Sequence, residues 1–458
     1  MKETFLVGVA GEVVSPELGT PLYGYAFHRP ARAVADDLMV KAIAVSQGDV
    51  QGILISADVV SISNELTETL RQKISAETGV PEMHISISAT HTHSGPAMKS
   101  AAGWGVANNA YLTDCFIPQT IKAAKAAFAA MVPAVMGVGT TQSFVGVNRR
   151  EQMEDGTILL GQNPYGIFDP TMTVISFATP EGKPIANLIH YGCHGTAAGR
   201  NPDITRDWPG VMVDGLERET GAITLFFNGA EGDVGPRLSN GQTTGDTQDF
   251  SVVTEPTGDI AYAREIGMVA AVDAITAYRN IKGYTDVDFR VVSGTMQLPY
   301  DPQYPYEEAK AKLAQLNSKE TLVQVELRQQ GNLTTIVDMY EKGQSFETHM
   351  VLPQTLFAFN SVVLVPFAFE MFSEIALRLR QYSPFAHTLG LCNTNGSNFY
   401  LPTRDQMVRG GYEVEIFRYG NIYKLTDDAD DRIIQENLKL IKKFNHYTVQ
   451  KKHRFTHG

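Results

Sequence analysis

The sequence predicts an α/β fold of mixed β-sheets flanked by helices. Two observations carry that prediction: apolar β-rich runs alternate with amphipathic helical stretches through the first half, and several of those runs stop at loops rich in glycine and small polar residues. A third is the composition, 43% hydrophobic and 19% charged, which is ordinary for a globular chain. In order, residues 52–60 read as a buried strand and Asn64–Thr78 as an amphipathic helix, with Leu66, Leu70 and Ile74 recurring at i, i+4 and i+8. Residues 84–89 read as a second strand, followed by a turn-rich loop, and 110–131 as a helix that Pro133 ends. Strands are expected at 172–178 and 184–194 around an Glu-Gly-Lys turn, a helix at 210–219, and a strand at Ile223–Asn228 that runs into a glycine-rich loop. Residues 307–317 and 370–382 look helical. The least patterned stretch, 233–255, reads as a long surface loop or lid, and the basic segment 442–458 as a loosely held tail.

A chain of 458 residues is expected to form one large domain, 1–440, followed by the tail 441–458. The formal charge of -12 argues against nucleic acid as a partner, because tracking phosphates needs a basic face. At the amino terminus the apolar run from Phe5 is interrupted by Gly8 and followed by Gly11 and Glu12, so no signal peptide is expected. The longest apolar run, 362–369, is far shorter than a membrane span and contains Pro366, so no transmembrane segment is expected either. Cys115, Cys193 and Cys392 have no CxxC spacing, which fits a reducing compartment and excludes a thiolate zinc knuckle. The expected location is cytoplasmic.

Three loops begin where an apolar strand ends, the place where open α/β sheets present ligands. The first carries His91-Thr92-His93, two histidines one residue apart that an extended backbone projects to one side. The second follows a strand whose alternation puts His190 and His194 on one face. His190 reads as a core histidine supporting the site, and His194, at the rim before Gly195-Thr196, as the ligand. Downstream, Asp207 reads as a helix cap or as a group orienting a metal-bound histidine. The third is Gly-Ala-Glu-Gly-Asp-Val-Gly-Pro-Arg at 229–237, with Glu231 and Asp233 as candidates for reaching the site. It is no nucleotide fingerprint, because Pro236 opposes a phosphate-binding helix. HExxH is absent, HxHxDH is not completed after His93, and there is no GxSxG. From the residues alone, the expectation is a metal site built on two histidines with its carboxylates undetermined.

The ordered set ATHTHSGP, VNRR, a strand ending in HGT, DWPG, GAEGDVGP, and GLCN followed by YLPT resembles the catalytic domain of the neutral ceramidases over nearly the whole chain. Members of that family are zinc amidases that split the N-acyl bond of ceramide. The resemblance implies a zinc site of His91, His194, Glu370 and Tyr400, with His93 and Arg149 as a non-ligand active-site histidine and arginine and Asp207 in the family's supporting aspartate position. On periodicity alone, Glu370 reads instead as a surface residue in a helix's first turn. The sequence departs from the family at the nucleophilic serine, where it has Gly235, and ends without the immunoglobulin-like domain that follows the ceramidase catalytic domain. These departures lead to the expectation of a zinc-dependent hydrolase in which metal-bound water attacks an amide or ester carbonyl of a small-molecule substrate such as an N-acyl amide. His93 would shuttle the proton and Arg149 would stabilise the oxyanion. Two alternatives are a hydrolase of a small, soluble, polar substrate and a zinc-bearing binding protein without catalysis.

Overall fold

The computed structural model describes residues 3–25, 29–100, 106–238 and 258–454. Three sheets supply the framework, and each mixes parallel and antiparallel pairs. The first has the spatial order Ile85–Ala89, Val50–Ala57, Met39–Gln47, Phe5–Val13, Val132–Pro133. The second runs Ile223–Asn228, Pro184–Tyr191, Thr171–Ala178, Val135–Gln142, and the third Phe289–Pro299, His349–Phe359, Val362–Pro366, His387–Leu391.

These sheets meet at a shared apolar centre. Phe5, Ile43 and Leu54 come from the first sheet, Phe177, Leu188 and Phe227 from the second, and Phe289, Phe359 and Leu364 from the third. The rings of Phe5, Phe177, Phe289 and Phe359 lie 5.0 to 6.1 Å apart in tilted, stacked and edge-on pairs, the arrangements that aromatic quadrupoles favour. Truncating one such ring to alanine typically costs about 3–5 kcal/mol. The opposite face of each sheet is covered by helices: Asn64–Thr78 and Ile117–Ala129 on the first, Asp207–Thr220 and Ile260–Arg279 on the second, Ser373–Tyr382 and Ala429–Arg454 on the third. Two-sided burial explains why the strands read as continuous apolar runs.

The expected α/β class is what the chain adopts. Asn64–Thr78 starts with Ser63 accepting from the Leu66 amide and stops at the left-handed Gly79, the two end signals a helix needs. Three expectations need correction. The strand expected through residue 194 stops at Tyr191, so His194 stands on a loop. The helix expected from residue 370 begins at Ser373, and Glu370–Met371 is instead a short strand paired in parallel with Tyr400–Leu401. The segment expected to be a loose tail opens inside the helix Ala429–Arg454, where Ile441 and Phe444 are buried in the third sheet's core. Helical spacing of Ile433, Leu440, Ile441 and Phe444 underlies that burial, while the basic residues occupy the other positions. Of the expected long loop, Val234–Pro236 is a buried strand against Gly146–Asn148, and residues 239–255 lie outside the described residues.

Candidate active site

Each of the three framework sheets contributes one parallel strand pair, and the loops leaving the C-terminal ends of those pairs converge. Val50–Ala57 and Ile85–Ala89 lead to His91 and His93, Pro184–Tyr191 and Ile223–Asn228 lead to His194 and Glu231, and Val362–Pro366 and His387–Leu391 lead to Glu370 and Asn393. The first two loops are tied by a parallel bridge between Thr92 and Gly195. Gly195 is required where they pass, since a Cβ there would lie 2.9 Å from the His91 carbonyl oxygen. His91, Asp207, Asn393 and Phe399 all have positive φ, and for a bulky ring such as Phe399 that backbone is costly, a concentration of strain typical of functional sites.

His91, His93 and His194 each offer a ring nitrogen, and these atoms lie within 4.8 Å of one another. Their tautomers follow from main-chain acceptors. The His91 Nδ1 is 2.6 Å from the Val60 carbonyl, and the His194 Nδ1 is 2.8 Å from the Glu231 carbonyl and 3.1 Å from that of Val234. A carbonyl oxygen only accepts, so both rings carry the proton on Nδ1 and turn the Nε2 lone pair into the site. There the same Glu370 oxygen, Oε2, stands 3.4 Å from the His91 Nε2 and 3.3 Å from the His194 Nε2. His93 completes the cluster with its Nε2 3.3 Å from that of His91. Behind it lie Tyr25, in edge contact at 5.1 Å, and Gly24, whose φ of 111° and closeness to the His93 ring leave no room for a side chain.

Burial dominates the electrostatics. It pushes the His194 pKa down to about 3, with Arg149 adding to the effect, and pushes His93 well below its usual range, with His91 and His194 adding. Burial also works against charge on His91 and Glu370, but their mutual attraction more than offsets it, raising the first and holding the second well below the ordinary carboxylate range. Burial, with Glu370 nearby, raises Glu231 to about 8. Its Oε1 accepts from the Asn393 Nδ2 at 2.6 Å.

The site suits a divalent cation. The His194 Nε2 and Glu370 Oε2 are buried without a hydrogen-bond partner and face each other across the gap. Imidazole nitrogens with a carboxylate are the borderline donor set that zinc accepts.

Tyr400 sits beside this cluster, its ring stacked on His194 at 6.4 Å, and the main chain of Glu370–Met371 holds its strand in register. Arg149 stands behind Tyr400, its Nη2 donating to the phenol oxygen at 2.9 Å and its Nε to Glu413 at 2.8 Å. A cavity adjoins the cluster, lined by His91, His93, Glu370 and Tyr400 and also by Tyr23, Lys99, Phe399 and Tyr412. Arg149 therefore bears on it through Tyr400. Among the described residues the Asp207 carboxylate hydrogen-bonds to no imidazole. It accepts from the amides of Ala197, Ala198 and Trp208, and Trp208 Nε1 in turn donates to the His194 carbonyl, so Asp207 shapes the loop that carries His194. Neither does it cap the helix by the expected route, since it is the first helical residue. Glu370, far from being a surface residue, is 7% exposed. His190 is the core histidine expected, its Nε2 donating to the Gly390 carbonyl at 2.9 Å.

The sequence gives no role to Asn393, although it lies within the GLCN motif, and carries no signal at all for Glu413, which is fully buried between Arg149 and Arg150.

A buried cluster of imidazoles and a carboxylate, placed at the C-terminal ends of parallel strand pairs, defines an α/β protein with the donor arrangement of a metal centre. The particular fold is that of the neutral ceramidases. Neutral ceramidase from Pseudomonas aeruginosa superposes with a TM-score of 0.70 at 16% identity, over 96% of this chain and 74% of that one. A ceramidase complexed with C2 superposes with the same TM-score at 15% identity, over 97% and 76%. No protein-family model matches the chain, and no curated protein matches it. Among the described residues no helix is long and apolar enough to cross a membrane.

Proposed function

We propose that this chain is a zinc-dependent hydrolase that cleaves an amide bond, or an ester, in a small molecule. The observation that carries this reading is the meeting of two lone-pair-bearing Nε2 atoms and one Glu370 oxygen beside a cavity that His91 and Glu370 line. The choice of an amide rests on the fold, since the two structures compared above are ceramidases. In this proposal His91, His194 and Glu370 hold the ion, with Tyr400 as a further oxygen donor; burial raises its phenol pKa well above the usual value, and the Arg149 charge only partly opposes that shift. Zinc bound there would supply Lewis acidity toward a carbonyl and lower the pKa of a bound water to about 7.

The remaining chemistry falls to the protein's own groups. With Gly235 in the nucleophile's place, water is the attacking group: its oxygen joins the acyl carbon, the C–N bond breaks, and a proton passes to the departing amine. His93 is suited to moving that proton, because it lines the cavity, is held neutral by burial, and has an Nδ1 without a hydrogen-bond partner. Arg149 and Asp207 act as positioning residues, the first through Tyr400 and the second through the His194 loop.

The test is the metal content of the purified protein together with turnover of a panel of N-acyl amides, esters and lactones before and after chelation. Activity lost to a chelator and restored by zinc supports the proposal, and His194→Ala should lose both metal and turnover. A zinc-loaded protein inert toward the whole panel would replace this reading with that of a non-catalytic binding protein.

A further inference from the structure

We propose that Lys99, together with Ser397 and Phe399 and with Arg328 against the Phe399 ring, forms an anion-binding subsite of the cavity, which selects N-acyl amides bearing a negatively charged group such as a carboxylate. This rests on the hydrolase reading above and deepens it by naming a substrate class.

Lys99 lines the same cavity as His91 and Glu370. Its Nζ donates to the Ser397 carbonyl at 3.2 Å and the Ser397 Oγ at 3.0 Å, and lies 4.7 Å above the Phe399 ring. An ammonium carries three donors, and both bonds go to neutral acceptors. Among the described residues no carboxylate lies within 4.0 Å of this nitrogen; Glu370 and Glu65 attract it only from further away. A half-buried cation that lacks a counter-ion is costly, and a bound anion would relieve the cost.

A second cation faces the same ring. The Arg328 guanidinium carbon lies 4.9 Å over Phe399, its Nε donating to the Gly420 carbonyl, again with no carboxylate within 4.0 Å among the described residues. Phe399 thus has two positive charges at 4.7 and 4.9 Å from its ring centre. Its φ of 63° is a conformation a bulky side chain adopts only when the surroundings impose it. Its carbonyl also accepts the Glu370 amide at 2.9 Å, so the residue that presents the cations is bonded to the one that presents the carboxylate donor. Burial, and then Arg328, bring the Lys99 pKa down to about 8, which leaves the ammonium charged in most molecules at neutral pH. A ceramide-like substrate with only hydroxyls would leave this positive field unanswered.

The experiment compares N-hexanoylglycine with the neutral N-hexanoylethanolamine, in the wild type, Lys99→Met and Lys99→Arg. The wild type should favour the glycine compound in kcat/KM, Lys99→Met should reduce that preference about tenfold, and Lys99→Arg should retain most of it, in line with loss of a charged hydrogen bond. Equal kcat/KM for the two compounds in the wild type, or a preference unchanged in Lys99→Met, overturns the subsite while leaving hydrolysis intact. If neither compound is cleaved, the panel of N-acyl amides, esters and lactones decides the hydrolase reading. Calorimetric binding of N-hexanoylglycine then decides the subsite alone: weaker binding to Lys99→Met than to the wild type supports it, and equal binding overturns it.

Discussion

On the proposed ligand set, chelating zinc from the zinc-loaded protein should lower the melting temperature by about 4 °C, and His194→Ala should abolish that difference. The donors need little rearrangement, because the Val60, Glu231 and Val234 carbonyls already orient both rings and one Glu370 oxygen lies 3.3 to 3.4 Å from each Nε2. Free zinc at roughly a thousand times its dissociation constant would therefore stabilise the folded chain by about 4 kcal/mol. Unfolding entropy of about 2 cal/mol/K per residue amounts to about 1 kcal/mol/K over 458 residues, which converts the stabilisation to about 4 °C. His194→Ala leaves a cavity and will lower the melting temperature with and without zinc, so the readout is the zinc-dependent difference. Differential scanning calorimetry of chelated and zinc-reconstituted samples measures it, alongside metal content by plasma emission. A wild type indifferent to zinc, or a His194→Ala variant with the full shift, would refute the ligand set.

Glu413→Gln removes the carboxylate that Arg149 and Arg150 share at 2.8 and 2.6 Å in a fully buried position, and should cost about 3–5 kcal/mol in urea unfolding; a loss below about 1 kcal/mol would contradict it. Burial lowers the His190 pKa, with the Gly390 hydrogen bond and Asp169 opposing and Arg380 assisting. The unfolded chain then binds more protons than the folded one below about pH 6.5, so this group's contribution is complete above that pH and is lost as the pH falls, with a slope of at most about 1.4 kcal/mol per pH unit. Replacing it in His190→Gln should make unfolding between pH 5 and 7 less pH-dependent than in the wild type, and parallel pH curves would count against the assignment. Gly24→Ala must place a methyl at a φ of 111° and within 2.5 Å of the His93 ring, so it should lower kcat through a displaced His93, with a stability loss of about 1–3 kcal/mol. Unchanged kcat would show that the His93 position is not critical.

How far the sequence could be read depends on which interactions set each feature. The helix Asn64–Thr78 and the strand Ile223–Asn228 match their expected bounds because their signals are local: a serine cap, a terminal glycine, an apolar run ended by Asn228. Glu370 was misplaced on a helix because the periodicity after Ser373 is genuine, whereas the pull that straightens Glu370–Met371 comes from Tyr400–Leu401, thirty residues away. His91 and His194 were visible since strand ends with histidines are a recognisable pattern, yet the support of Arg149 by Glu413 spans 264 residues and leaves no mark in either neighbourhood. The same reasoning explains why the candidate histidines were more legible than the way their rings face. Which nitrogen faces the site is decided by the carbonyls of Val60, Glu231 and Val234, groups that every residue possesses, and only the folded main chain determines which of them meets an imidazole.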